Sequence, residues 1–309
     1  MVRETIAIAV HGGAGAIPRS TMSGELEAEY RSGLLAALQI GHSVLSAGGS
    51  ALDAVEQTVV CLEDNILFNA GRGSVFNHAG SHEMDASIMR GDTLQAGAVA
   101  GVSGVQNPIA LARAVMEKTG FVMLCNSGAE EFARRLNMPF RPDDYFYSEF
   151  RHQQWKVAVA REETLLDHSK IETGTVGAVA RDSIGNLAAA TSTGGLTNKK
   201  WSRIGDSAII GAGTYASNRT CAVSCTGYGE FYMRSVAAHE ISCLMKYKGL
   251  SLDSACDAVL HQIAALGGSG GVIAVDGSGN IATPFNTEGM YRGWQREGGA
   301  AQVRIYAEE

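Results

Sequence analysis

The sequence predicts an α/β protein of mainly antiparallel sheets covered by helices. Three observations carry that expectation. Short apolar runs of strand length are joined by hairpin-type turns, at residues 182–185 and at Asp276-Gly277-Ser278-Gly279. Segments with helical apolar spacing lie between the strand runs. Glycine is in excess, 38 of 309 residues where average usage is about 7%, so tight turns and close backbone approaches must be frequent.

Taken in order, residues 5–10 read as a buried strand running into the turn His11-Gly12-Gly13-Ala14-Gly15. Leu26, Tyr30, Leu34, Leu38 and Leu45 keep helical spacing over residues 25–45. Ser50 is placed to cap a second helix that aligns Leu52, Val55, Val59 and Leu62. A glycine-punctuated loop over 65–73 follows. Strands are expected at 74–77 and 83–89, with a further pair around Gly91-Asp92. Pro108 opens a helix, and Ser127-Gly128-Ala129-Glu130 fits a capping box. Residues 141–173, rich in charge and aromatics without a clean period, read as an exposed, mobile linker. Beyond it, 175–181 and 186–191 form a hairpin pattern, and 208–211 and 221–225 read as strands. Helices are expected over 230–246 and 251–266. A hairpin of 272–275 with 280–282 comes next, and 302–306 reads as an edge strand.

Composition narrows the function classes. With 45% hydrophobic and 18% charged residues the chain can bury a large core. Net charge is −7, and no basic stripe is present to engage nucleic acid. The opening residues hold only a short apolar run, and no stretch nears the roughly 20 apolar residues of a membrane helix. The six cysteines are scattered without a Cys-x-x-Cys pair and read as buried thiols. The expectation is a soluble cytoplasmic protein that acts on a small molecule.

Thr175 is the chemical focus. A threonine in a strand is most often there for its β-branch, but three features set this one apart. Gly174 precedes it, a polar linker lies upstream, and a strand begins at the threonine itself. A hydroxyl is a poor nucleophile until a base takes its proton. A free α-amine, with a pKa of about 7.7–8.0, can be that base within the same residue. The amine exists only if the Gly174–Thr175 bond is cut.

Seven ordered segments resemble the motifs of the plant-type asparaginases, also called isoaspartyl aminopeptidases, which are N-terminal nucleophile hydrolases. They are His11-Gly12-Gly13-Ala14-Gly15, Phe68-Asn69-Ala70-Gly71, Glu83-Met84-Asp85-Ala86-Ser87, Gly174-Thr175-Val176-Gly177, Thr191-Ser192-Thr193-Gly194-Gly195, Arg203-Ile204-Gly205-Asp206 and Thr226-Gly227-Tyr228-Gly229-Glu230. The resemblance covers nearly the whole chain except 141–173. It implies a four-layer αββα sandwich, one domain over 1–309 that cleaves itself into segments 1–174 and 175–309. The two fragments are expected to stay associated, in a dimer of such units.

By the same resemblance Thr175 is the nucleophile and Thr193 the hydroxyl beside it. Arg203 and Asp206 clamp the α-carboxylate and α-ammonium of the substrate, Thr226 and Gly227 form the oxyanion hole, and Gly229 adjoins the substrate. Asn69 supports the nucleophile region. Backbone carbonyls of Leu62, Glu63, Asn65, Phe68, Ala70 and Arg72 would wrap a structural sodium ion, and no cofactor serves the chemistry. The implied reaction is hydrolysis of L-asparagine or β-aspartyl dipeptides through an acyl-threonine. The alternatives are a glycosylasparaginase-type amidase, or a small-molecule binding protein that does not process itself. Two departures from the family pattern stand out: Lys200-Trp201-Ser202 before Arg203, and Arg72 in the ion loop.

Other patterns take plainer readings. Gly267-Gly268-Ser269-Gly270-Gly271 follows a helix and precedes a strand, the reverse of a phosphate loop. His78 and His82 lack a third metal ligand nearby, and His239 with Cys243 reads as core packing.

Overall fold

The His11–Gly15 segment is not a turn after a strand but part of one. Strand β1 runs Ala7–Gly15 in the computed structural model, which describes residues 5–161 and 174–308. There follow α1 (Gly24–Ser46), α2 (Ala51–Glu63), β2 (Met84–Arg90), β3 (Ala96–Val102), α3 (Pro108–Lys118), β4 (Met123–Cys125), α4 (Asn126–Arg135), α5 (Asp143–Phe146) and α6 (Glu149–Ala160). Past Thr175 come β5 (Val176–Arg181), β6 (Leu187–Thr193), β7 (Thr214–Ala216), β8 (Cys221–Gly227), α7 (Gly229–Ser235), α8 (Ala237–Lys248) and α9 (Leu252–Ala265). Strands β9 (Gly270–Asp276), β10 (Ile281–Ala282), β11 (Gly289–Arg296) and β12 (Gln302–Arg304) close the chain.

These strands form two sheets, in the orders β12-β11-β1-β5-β6-β2-β3-β4 and β10-β9-β8-β7. Neighbours are antiparallel except β3 with β4. Strand alternation sorts the apolar residues into three layers. Ile8, Val10, Val176 and Ala178 face α1 and α2, where Leu34, Leu38, Val55 and Val59 meet them. The alternate residues Ala7, Ala9, Val179 and Ala189 pack instead against Ala222, Ile273 and Val275 of the smaller sheet. On that sheet's outer side Val223, Cys225 and Val272 pack against Ile241, Val259 and Ile263 of α8 and α9. Helix, sheet, sheet, helix is the four-layer order expected. Each fully buried Val, Leu or Ile contributes about 1.5–3 kcal/mol. Among the described residues no helix is long and apolar enough to cross a membrane.

Local sequence signals hold at the caps. Ser50 accepts from the Asp53 amide, Ser251 from the Ser254 amide, and Pro108 is the first residue of α3. Several expectations fail for identifiable reasons. Residues 74–77 form no strand, because the Asn77 side chain accepts from the Ala79 and Ser81 amides and bends the chain. The capping box at Ser127 is absent: α4 starts at Asn126, and Glu130 accepts from the Ser103 amide instead. Residues 208–211 follow on from a short 3-10 turn, Asp206–Ala208, and hold only an isolated bridge from Ile210 to Thr214, and the strand is β7. The helix expected over 230–246 breaks at Val236, whose φ of 48° is left-handed. Strand β11 was not anticipated. His239 is exposed, its ring edge-on to Tyr215, so it is no core residue.

The linker reading of 141–173 is corrected over its first part. There α5 and α6 pack onto the body, with Phe146, Arg151 and Ala158 buried. Residues 162–173 of that expectation lie outside the described residues.

Candidate active site

Thr175 sits where β5 begins. The strand ladder to β1 and β6 fixes the backbone from Val176 onward, so the hydroxyl is carried on a rigid edge. Its Oγ1 donates to Thr193 Oγ1 at 3.2 Å and lies 3.4 Å from Ser207 Oγ. Thr193 Oγ1 also accepts from the Gly195 amide at 3.0 Å, which fixes its orientation. Thr175 is 8% exposed and opens onto a cleft of about 340 Å³, near the lower end of small-molecule sites.

Gly174 is required by space, not by a left-handed backbone: its φ is not positive. A Cβ there would stand 2.9 Å from Thr226 Oγ1 and 3.3 Å from Gly13 Cα. The left-handed residue is Gly13, with φ of 116°, at the register shift between His11 and Gly13 in β1. A Cβ on Gly13 would meet the Gly174 nitrogen at 2.3 Å. The bulge therefore lays the β1 backbone directly against the residue before the nucleophile.

Beneath Thr175 runs a chain of buried polar groups. His11 Nδ1 donates to the Thr175 carbonyl at 2.9 Å, and its Nε2 accepts from Ser224 Oγ at 2.8 Å. Ser224 in turn meets Thr191 Oγ1, which accepts from Thr214, and Ser87 donates to Thr214. Burial pushes the His11 ring down to about 3, so it is neutral and the tautomer is set by these partners.

The two residues expected to clamp the substrate stand in the same cleft. Arg203 and Asp206 both line it, and Asp206 adjoins Ser207. The Arg203 guanidinium makes a two-pronged pair with Glu230, Nε to Oε1 at 2.9 Å and Nη2 to Oε2 at 2.6 Å. Asp206 Oδ2 is buried without a hydrogen-bond partner, and burial, opposed by Arg203, raises the carboxyl to about 7. Gly229 lies behind the clamp, where a Cβ would come within 2.9 Å of both side chains. Gly227, with φ of 144°, lines the cleft, while Thr226 is fully buried and its Oγ1 accepts from the Ala14 amide.

Asn69 ties the opposite wall together. Its Nδ2 donates to the Gly195 carbonyl at 2.8 Å and its Oδ1 accepts from the Val75 amide. Arg151 of α6 adds donors to the carbonyls of Gly73 and Leu67. Trp201 is 95% exposed and does not line the cleft, so the Lys200-Trp201-Ser202 departure leaves the cleft wall as it is. Residues 62–73 lie around Asn69, and their carbonyls turn in on glycines. A Cβ on Gly71 would meet the Glu63 carbonyl oxygen at 2.5 Å, and one on Gly73 that of Ile66 at 2.6 Å. Among the described residues no group of three His, Cys, Asp or Glu side chains is placed to hold a metal, so His78 and His82 remain without a third ligand.

The structure thus brings Asn69, Gly174, Thr175, Thr193, Arg203, Asp206 and Gly227 to one cleft. Sequence reasoning missed Ser207, Ser224, Glu230 and the α6 residues. Glu230 stood inside a quoted motif and was adjacent to the predicted clamp only in space. The α6 signal was present as Arg151, Gln154, Trp155 and Ala158, an i, i+3, i+4, i+7 stripe obscured by its polar members.

Comparison with known proteins agrees with this geometry. The asparaginase family model matches residues 4–305. The chain is 52% identical to the isoaspartyl peptidase of Salmonella typhimurium, over 97% of this chain and 98% of that protein. It is 51% identical to the isoaspartyl peptidase of Escherichia coli, over 98% and 96% of the two chains. It is 41% identical to the plant-type L-asparaginase of Pyrococcus horikoshii, over 95% and 97%. A full-length family match, relatives above half identity and a threonine hydroxyl facing an Arg–Asp pair converge on one assignment: this chain belongs to the asparaginase family.

Proposed function

We propose that the protein is a self-processing amidohydrolase that hydrolyses L-asparagine and β-aspartyl dipeptides with Thr175 as nucleophile. The observation that carries this reading is the placement of Thr175 Oγ1 between the Thr193 and Ser207 hydroxyls, in the same cleft as Arg203 and Asp206. With Nε and Nη2 engaged by Glu230, Arg203 meets the substrate α-carboxylate with the outer, Nη1 edge of its guanidinium, and Asp206 takes the α-ammonium. That leaves the β-carbonyl as the electrophile presented to Thr175. Thr226 Oγ and the Gly227 amide stabilise the charge that develops on its oxygen.

Activation comes first. Thr175 Oγ attacks the Gly174 carbonyl carbon, the C–N bond breaks, and the proton passes from oxygen to nitrogen. The resulting ester is hydrolysed by water, leaving a Gly174 carboxylate and a free Thr175 amine. In turnover this neutral amine takes the hydroxyl proton. The amide nitrogen of the substrate then leaves with a proton, and water cleaves the acyl-threonine.

A sodium ion in the 62–73 loop would be bound by backbone oxygen, the ligand type such cations take. Leu62, Glu63, Asn65, Phe68, Ala70 and Arg72 would hold a sodium ion through their backbone oxygens. The ion would brace the loop that carries Asn69 and would supply no chemistry.

The experiment is intact mass with two variants. The parent should give fragments 1–174 and 175–309, trimmed only within the first fragment's tail. Thr175→Ala should stay whole and inactive. Cleavage of the alanine variant at the same bond would assign the cut to an outside protease and remove Thr175 from it.

A further inference from the structure

The Thr175 hydroxyl has a hydroxyl on either side, and a count of hydrogens gives the two neighbours opposite parts. Thr175 carries one hydroxyl hydrogen, and it points at Thr193 Oγ1, 3.2 Å away. Thr193 Oγ1 accepts the Gly195 amide as well, so both of its lone pairs are engaged. Ser207 Oγ lies 3.4 Å from Thr175 Oγ1, and that hydroxyl has no other partner among the described residues. With the Thr175 hydrogen already given to Thr193, the hydrogen between Ser207 and Thr175 is the one on Ser207. Ser207 therefore donates to the nucleophile's oxygen and does not take its proton.

The turn that carries Ser207 fixes it. The residue is buried and follows Asp206 in the 3-10 turn Asp206–Ala208, and the Asp206 carbonyl accepts from the Ile209 and Gly213 amides. Both residues line the cleft. One rigid turn thus presents the carboxyl of the clamp and, on the next residue, a donor to Thr175.

What such a donor does depends on the charge of the oxygen it meets. While the amide nitrogen of the substrate departs, Thr175 Oγ is bonded to the acyl carbon and nearly neutral. When water later cleaves the acyl-threonine, the C–Oγ bond breaks and its electron pair returns to Oγ. A hydrogen bond strengthens as its acceptor gains charge. The Ser207 bond therefore stabilises this second transition state more than the ester that precedes it.

We propose that Ser207 is a catalytic residue of deacylation, donating a hydrogen bond to Thr175 Oγ as that oxygen leaves the acyl-threonine. The inference rests on the hydrolase reading above. In this step water adds to the acyl carbon and gives a proton to the Thr175 amine. The C–Oγ bond breaks, Oγ takes a proton from the resulting ammonium, and aspartate is released with its β-carboxyl formed. Ser207 keeps its own proton throughout. The ester of self-cleavage, between the Gly174 carbonyl and Thr175 Oγ, breaks at the same kind of bond and uses the same donor.

The test uses aspartate β-(para-nitroanilide), whose good leaving group makes acylation the faster half and whose release is coloured. Processed Ser207→Ala and Ser207→Cys are compared with the parent; the cysteine fills the space but is a weak donor. In both variants the burst of nitroaniline should keep the parent's rate within about twofold, while the steady rate after it falls at least about tenfold. Intact mass of the quenched reaction should show fragment 175–309 carrying an aspartyl group. Burst and steady rate falling together, an unchanged steady rate, or Ser207→Cys matching the parent would each overturn the proposal. Where a variant does not process itself, neutral hydroxylamine decides, because it cuts a chain ester-linked at Gly174 and leaves an amide-linked one whole. Cutting is the result expected, and resistance counts against Ser207. A parent inactive on both the anilide and L-asparagine would instead remove the hydrolase reading.

Discussion

Asp206 carries a carboxyl that burial pushes up to about 7, against the pull of the Arg203 charge. A ligand with an α-ammonium binds the ionised form, so binding must strip the proton from Asp206 wherever the free enzyme holds it. The sign follows. Above about 7 the carboxylate is already formed and affinity is flat, whereas below it affinity falls, approaching tenfold per pH unit, with one proton released on binding. The product L-aspartate isolates this effect, because its binding does not require the Thr175 amine to act as base. Calorimetry in buffers of different ionisation enthalpy should show proton release rising from pH 8 to pH 6. No released proton at pH 6 would mean that Asp206 is ionised in the free enzyme or does not meet the ammonium. Arg203 shows a further constraint on the same scale. Its fork is held by Glu230 at 2.6 and 2.9 Å, so the guanidinium is oriented before any substrate arrives.

The β1 bulge makes a prediction at the scale of an element. Gly13→Ala asks the chain to accept a Cβ at φ of 116° and 2.3 Å from the Gly174 nitrogen. Gly48→Ala carries a comparable backbone penalty at φ of 83°, with nothing within 4 Å. Each should cost about 1–3 kcal/mol of stability, read as a lower thermal midpoint. Only Gly13→Ala should slow self-cleavage, by at least about tenfold in a timed denaturing gel, since it alone shifts the residue under attack. Equal cleavage rates in both variants would separate the bulge from the reaction. The same element shows what the sequence made legible. The His11–Gly15 motif was found, but as a turn, because local glycine content signals bending and cannot report that β5 and β11 flank the segment. The cap at Ser50 was legible because it is satisfied within four residues. Strand β11, with two glycines and two arginines in eight residues, shows no alternation. It is a strand because β1 and β12 pair with it. The break at Val236 is likewise tertiary: the amides of Ala238 and His239 donate to the carbonyls of Ala212 and Gly211. The site followed the same rule. Residues within motifs were found, while Ser207 and Gln154 come to the cleft only through the fold.

On the scale of the whole molecule, the larger sheet interleaves the two segments on either side of Gly174. β1 lies between β11 and β5, and β6 pairs with β2, so the strands of 1–174 and of 175–309 meet along three ladders. Cutting the Gly174–Thr175 bond removes none of these ladders, and the fragments can part only when the sheet itself unfolds. His11 belongs to this seam: its ring bonds Thr175 of the larger sheet and Ser224 of the smaller, both across the cleavage position. Burial holds that ring down at about 3 against an ordinary 6.5, with the Thr175 carbonyl bond pulling the other way. Unfolded, the ring takes its proton at the ordinary value. Its contribution is therefore complete above 6.5 and is lost as pH falls through the window toward 3, by up to about 1.4 kcal/mol per pH unit. The buried carboxyl of Asp206, raised to about 7, acts with the opposite sign, so the parent's net slope is not diagnostic. The difference between proteins is. His11→Asn retains a donor for the Thr175 carbonyl and has no ring to charge. Between pH 7 and pH 5 the processed parent should lose about 2 kcal/mol more unfolding free energy than this variant, with fragment separation tracking unfolding in both. Equal losses in the two proteins would show that the seam does not hold the imidazole neutral.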